Sequence, residues 1–96
     1  MPVERYELEF AEGVRRQLER LPGHVYPRAK QLIEALRTDP RPQYAEQLRG
    51  RAERYKIVLG NYRIVYGVRD DILLILVLKV GKKHGPEFYQ NIEDDM

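Results

Sequence analysis

The chain contains no cysteine, which excludes disulfides and thiolate metal sites and suits a reducing compartment. Its two histidines, His24 and His84, stand far apart in different segments. No His, Asp and Glu grouping has metal-ligand spacing, and there is no Ser-His-Asp arrangement or paired-carboxylate constellation, so hydrolysis by a metal or a serine triad has no support. Gly60 and Gly81 read as turn glycines, not as a phosphate-cradling loop. The longest uninterrupted apolar run is Ile72 to Leu78, far below the roughly 20 residues of a membrane-spanning helix. Met1-Pro2-Val3-Glu4 opens without the apolar stretch of a signal peptide. These absences predict a soluble cytoplasmic protein with no cofactor and no membrane partner.

The length of 96 residues allows one domain, residues 1–96, with a thin stability margin. The formal net charge of +2 hides a segregation. Leu48 to Lys83 holds nine Lys or Arg against three acids, a net +6, while the remainder carries a net −4. One basic half in a nearly balanced protein points to a local anionic partner; a solvated mixed-charge surface is the plainer reading of the same numbers.

Tyr6, Leu8 and Phe10 alternate with charged residues, as in a half-buried strand. The period then changes. Ala11, Val14, Leu18 and Leu21 recur at helical spacing up to Pro22-Gly23, and a second apolar stripe, Ala29, Leu32, Ile33 and Leu36, predicts a helix over Tyr26–Arg37 with Pro27 in its first turn. Two helices around a short Pro-Gly break read as an antiparallel hairpin. Thr38 to Pro42 begins an irregular link.

After Leu48-Arg49-Gly50 the period returns to two. Tyr55–Leu59, then Gly60-Asn61, then Tyr62–Tyr66 is a hairpin signal with a two-residue primed turn. That turn pairs Leu59 with Tyr62, Val58 with Arg63, Ile57 with Ile64, Lys56 with Val65 and Tyr55 with Tyr66. One face is then all Tyr, Ile and Leu. The other carries Lys56 and Arg63 beside Val58 and Val65, and a one-residue slip would bury both cations. Asp70-Asp71 turns the chain into an apolar strand over Ile72–Val80, and Gly81–Pro86 is a basic loop. Glu87–Asp95 can add a helical turn or two carrying Phe88 and Tyr89. The predicted order is an N-terminal strand, a two-helix hairpin, a three-stranded antiparallel meander and a short C-terminal helix, an α+β sandwich with helices on one sheet face. A tight turn at Asp70-Asp71 places Leu74, Leu76 and Leu78 on the face of Arg63. There they would lie under the C-terminal segment or a partner's helix.

The residues left for chemistry are Arg49, Arg51, Arg54, Lys56, Arg63, Lys82, Lys83, His84 and Tyr89. Arg and Lys hold phosphate and offset charge that builds on it in a transition state. Tyr stacks on bases or moves a proton. RNA carries its own nucleophile, the 2′-hydroxyl, so an enzyme that uses it needs only a base, an acid and cations. A plain anion-binding surface and a nuclease both fit this set.

Leu48-Arg49-Gly50, Tyr55-Lys56-Ile57, Tyr62-Arg63-Ile64-Val65-Tyr66, Val80-Gly81-Lys82-Lys83 and Tyr89, six residues after Lys83, resemble in order and spacing the RelE-type toxins of the RelE/ParE superfamily. The resemblance covers nearly the whole chain. It implies the toxin of a type II toxin–antitoxin system, a ribosome-dependent mRNA endonuclease held inactive by a cognate antitoxin and reaching DNA only through it. It implies that Lys56 and Arg63 contact the scissile phosphate, that Tyr89 stacks on RNA or accepts the 2′-hydroxyl proton, and that Lys83 assists the leaving oxygen. Arg49 would bind RNA, with Arg51, Arg54, Lys82 and His84 adding to the same surface. Val58 stands where well-known members have a second lysine, and Lys83 where they have an arginine. His84, beside Lys83, is an alternative proton carrier, a role that imidazole fits near neutral pH. Members of the superfamily that act on DNA gyrase, and a catalytically weak toxin that serves as its antitoxin's co-repressor, are the alternative readings.

Overall fold

The structure, a computed structural model, describes residues 5–90 and Ile92. Its elements are β1 (Glu7–Phe10), α1 (Val14–Glu19), α2 (Tyr26–Ala35), β2 (Ala45–Gln47), β3 (Arg54–Leu59), β4 (Tyr62–Arg69), β5 (Leu74–Lys82) and a 3-10 turn, Pro86–Tyr89. They form one mixed five-stranded sheet in the order β1-β5-β4-β3-β2. Only β1 runs parallel to its neighbour, β5, a pairing that needs a long connection between the two strands.

The hairpin register is the one the turn predicts, from Leu59 opposite Tyr62 to Tyr55 opposite Tyr66. Gly60 takes φ +62 at the first central position, where a type II′ turn needs a residue without a side chain. Tyr55, Ile57, Ile64, Tyr66 and Val68 therefore face the helices. They form one core with Val14, Leu18, Leu21 and Val25, with Ala29, Leu32, Ile33 and Leu36 of the second helical stripe, and with Ile75, Val77 and Val80.

Several features differ from the sequence expectation: β5 runs over Leu74–Lys82, so Gly81 and Lys82 lie in a strand where a turn glycine and a basic loop are expected. The link after α2 contains a fifth strand: β2 pairs with β3, Glu46 opposite Lys56. At three residues it is too short for alternation to reveal. The turn into β5 has four residues, Asp70 to Leu73, because Arg69 pairs with Leu74. Leu73 adopts φ +50 and Ile72 is exposed. Finally, β5 is irregular. Tyr66 pairs with Val77 but Val65 pairs with Lys79, so Leu78 is an extra residue, a β-bulge. Val77 and Val80 then both reach the helix-side core, while Leu78 joins a second cluster. The C-terminal helix expected over Glu87–Asp95 is a 3-10 turn ending at Tyr89; Asn91 and residues 93–96 lie outside the described residues. No helix among the described residues is long and apolar enough to cross a membrane.

The second cluster occupies the other sheet face. Val65, Leu78, Phe88 and Ile92 are buried together, with Leu76 and Tyr89 partly buried against them. Leu76 and Leu78 thus do lie on the Arg63 face and pack under the C-terminal segment. The core-facing tyrosines reach the rim with their hydroxyls. Tyr66 donates to Pro40 O at 2.7 Å, and burial above all pushes its phenol above the ordinary range. Tyr6 donates to Asp70 at 2.6 Å. Arg41 bonds Tyr55 Oη at 2.9 Å, Asp70 at 2.8 Å and Glu53. This clamp ties the loop after α2 to β3 and to the β4–β5 turn.

The Arg41 bond first, and the Tyr6 bond second, hold the Asp70 carboxyl below the usual carboxylate range. Folding lowers this pKa, so the associated stability is complete above the unfolded value of about 3.9 and is lost as pH falls through the folded value. Asp70→Asn is expected to lower the melting temperature at about pH 7, with the gap to wild type closing as the pH drops from about 4 toward 2. Circular dichroism melts across that range test this; a gap that does not change with pH would show that the carboxylate charge contributes nothing.

Candidate functional site on the open sheet face

Strand alternation presents Lys56 and Val58 of β3, and Arg63 and Val65 of β4, on the face away from the helices. The C-terminal turn covers only part of that face. Phe88 is 7% exposed and anchors the turn over Val65 and Leu78. Gly81 lies directly beneath it, since a Cβ there would sit 3.5 Å from the Phe88 ring edge. The next residue, Tyr89, is edge-on to Phe88 at 5.4 Å between ring centroids. Its ring is held near two ammonium groups, Lys56 Nζ at 5.1 Å and Lys83 Nζ at 5.7 Å from the centroid. Each is a cation–π distance.

Beside this triplet a groove of about 410 Å³ is lined by Arg49, Arg51, Lys56 and Tyr89, with Glu46, Gln47 and Leu48 completing it. The 48–51 loop is shaped by Gly50 at φ +76 and by Arg51 N–H donating to Leu48 O at 3.2 Å. It carries both arginines to the mouth of the groove. A smaller cavity of about 220 Å³, between β1 and the two helices, holds none of the residues expected to carry chemistry.

Arg63 is folded back on the hairpin turn, donating from Nη1 to Gly60 O at 2.8 Å and Tyr62 O at 2.9 Å. Its Nε and the Tyr89 hydroxyl are shielded from solvent and have no protein hydrogen-bond partner among the described residues. Both are strong polar groups, and leaving either unmatched costs roughly 1–3 kcal/mol.

Of the residues singled out from sequence, the fold gathers Arg49, Arg51, Lys56, Lys83 and Tyr89 around one groove, with Arg63 across the hairpin from Val58. Three others stand apart. Arg54 shares the face of Lys56 by alternation but is only 8% exposed. Its loss of solvent, then the charges of Arg51 and Arg69, hold its guanidinium below the ordinary range. Lys82 pairs with Tyr62 and lines a separate hollow with Gln17, Arg20 and Leu21 at the end of α1. His84 is exposed. Sequence alternation does not single out Lys79, whose ammonium donates to Phe88 O at 2.7 Å and lies 4.2 Å from the Phe88 ring centroid. A lone cation inside an apolar run is the signal that marks it.

Among curated proteins the chain is 34% identical over 86 residues to the mRNA interferase toxin RelE of Escherichia coli K12, an alignment covering 88% of this chain and 90% of that protein. The chain belongs to the RelE toxin family. The fold agrees. The isolated E. coli RelE toxin matches with a TM-score of 0.74 at 32% identity, over 88% of this chain and 90% of that one. RelE in the intact E. coli RelBE toxin–antitoxin complex matches with a TM-score of 0.73 at 32% identity, over 83% and 99%. The chain also falls within the family described as the TrmO C-terminal domain, whose model matches residues 3–81. That match ends at Gly81, before Lys83 and Tyr89, so it covers the scaffold and the β3–β4 cations but not the segment that closes the basic groove.

Because Phe88 fastens that segment, Phe88→Ala is expected to cost about 3 kcal/mol of unfolding free energy, the range for emptying a buried aromatic site. Urea denaturation followed by circular dichroism measures this. A loss well under about 1 kcal/mol would mean that the turn contributes little to the folded state.

Proposed function

We propose that the chain is the toxin of a type II toxin–antitoxin pair and that it cleaves mRNA on the ribosome through the RNA's own 2′-hydroxyl. The observation that supports this reading best is the placement of Lys56 and Lys83 over the ring of Tyr89, at the edge of a groove lined by two arginines. RelE relatives named as mRNA interferases point to the same chemistry.

In this reading Arg49 and Arg51 hold the RNA backbone on either side of the cut, as weakly hydrated guanidinium groups do well. Lys56 and Arg63 bind the non-bridging oxygens of the scissile phosphate. Arg63 leaves its two turn carbonyls to do so, and its Nε gains the acceptor it lacks. Tyr89, as its phenolate and with its oxygen turned into the groove, takes the proton of the 2′-hydroxyl as that oxygen bonds to phosphorus, becoming a neutral phenol. Lys83 returns a proton to the departing 5′-oxygen as the P–O5′ bond breaks. The products are a 2′,3′-cyclic phosphate and a 5′-hydroxyl. The cations offset the extra negative charge on the phosphate in the transition state, the largest contribution that such a site makes. The antitoxin is a protein whose acidic side chains pair with this basic face and whose apolar side chains cover the Phe88–Tyr89 region. Complexes of RelE with RelB support a partner of this kind.

A translating cell-free reaction with purified protein, with mRNA ends mapped by primer extension, tests the proposal. New ends at ribosome-occupied codons are expected with wild type. Arg63→Ala should lower cleavage by about 10²- to 10³-fold, and Tyr89→Phe, which keeps the ring but not the hydroxyl, by about 10²-fold or more. Val58→Lys, which sets a second cation across from Arg63, should raise it by about tenfold. Intact mRNA at protein concentrations that stop translation or growth would overturn the nuclease reading and turn attention to gyrase.

A further inference from the structure

We propose that Lys79 is a positioning residue: it latches the Pro86–Tyr89 turn to the sheet and so fixes Tyr89 beside Lys56 and Lys83. The assignment of Tyr89's task rests on the nuclease reading above; the latch itself does not.

The inference starts from the bulge in β5. Strict alternation after Val77 would send Lys79 into the helix-side core. The extra residue, Leu78, shifts the phase, so Lys79 stands opposite Val65 on the open face and Val80 takes the core position. A charged side chain is thereby brought beneath the C-terminal segment, where it makes two contacts with one residue. Its Nζ donates to Phe88 O at 2.7 Å and sits 4.2 Å from the Phe88 ring centroid. An ammonium-to-carbonyl bond of this length is charge-assisted and stronger than a neutral one.

The carbonyl that Lys79 holds belongs to the peptide joining Phe88 to Tyr89. Fixing that peptide plane fixes the position of the Tyr89 Cα and leaves its φ as the one backbone rotation that can re-aim the side chain. Besides the bonds within the 3-10 turn, backbone bonds at its ends run from Phe88 N–H to Gly85 O at 3.1 Å and from Gln90 N–H to Glu87 O at 3.0 Å; these are local and tie the turn to itself, not to the sheet. Phe88 supplies burial, which is not directional. Lys79 supplies direction.

Lys79→Met keeps the length and apolar stem but removes the donor, and Lys79→Arg restores a cationic donor. Hydrogen–deuterium exchange of the intact chain, followed by mass spectrometry on the peptide spanning residues 84–92, reads the latch without any substrate. Exchange there is expected to rise by about tenfold or more in Lys79→Met and to return near wild type in Lys79→Arg, with peptides from β4 unchanged. Wild-type exchange in Lys79→Met, or no rescue by Lys79→Arg, overturns the latch. In the cell-free reaction Lys79→Met is expected to lower the cleavage rate at saturating ribosomes by about tenfold while leaving the half-saturating concentration unchanged. A loosened turn with an undiminished rate overturns the positioning role. If wild type does not cleave at all, the nuclease reading falls and the exchange measurement alone decides the latch.

Discussion

The register of the β3–β4 hairpin is the constraint on which the rest of the molecule depends. A two-residue turn at Gly60-Asn61 leaves no freedom in the pairing that follows, and side chains alternate strictly from it. Tyr55, Ile57, Ile64 and Tyr66 must then meet the helices, and Lys56 and Arg63 must meet solvent. The alternative register would bury an ammonium and a guanidinium among aliphatic side chains and expose the aromatic pair Tyr55 and Tyr66, which stack at 5.6 Å in the present one. Core and basic face are thus two consequences of one choice, and stability and site cannot be varied independently along this hairpin.

The second constraint acts on β5, which has to serve both faces. Its lower half is sandwiched between β1 and β4, but β1 ends at Phe10, opposite Val77. Beyond that point no strand among the described residues pairs with the outer edge of β5, and α1 takes its place. The side-chain carbonyl of Gln17 accepts from Val80 N–H at 2.9 Å, filling the role of a missing ladder bond. The bulge at Leu78 falls just where the neighbour changes from strand to helix. A bulge increases local twist and re-aims the side chains that follow. Here it changes which residues face the helices, and Gly81 and Lys83 follow it toward the C-terminal turn.

What alternation could reveal and what it could not follow from this geometry. The helical stripes, the hairpin pairing and the segregation of Lys56 and Arg63 are periodic properties, and they are legible because each repeats over several residues. The strand Ala45–Gln47 is not, because three residues carry no period and its pairing is dictated by β3. The inversion of phase at Leu78 is not legible either, since a bulge is set by the neighbouring strand as much as by the bulged one. Lys79 was therefore invisible to an argument from alternation, although a single cation in an apolar strand is costly enough to demand a partner. Arg54 shows the opposite error of local reading. Its position beside Lys56 in sequence suggests a surface cation, yet the fold shields it and leaves it competing with Arg51 and Arg69.

The energetics of the open face explain why its parts are arranged as they are. Lys56 and Lys83 both stand over the Tyr89 ring, and the Tyr89 hydroxyl and Arg63 Nε are shielded without protein partners among the described residues. A sheet face optimised only for stability would place none of these together. Against this, Phe88 and Ile92 bury apolar surface with Val65 and Leu78, which favours the covered arrangement. The Tyr89 ring also presents its electron-rich face to two ammonium groups. An anion bound beside Arg63 would give its Nε the acceptor that it lacks among the described residues.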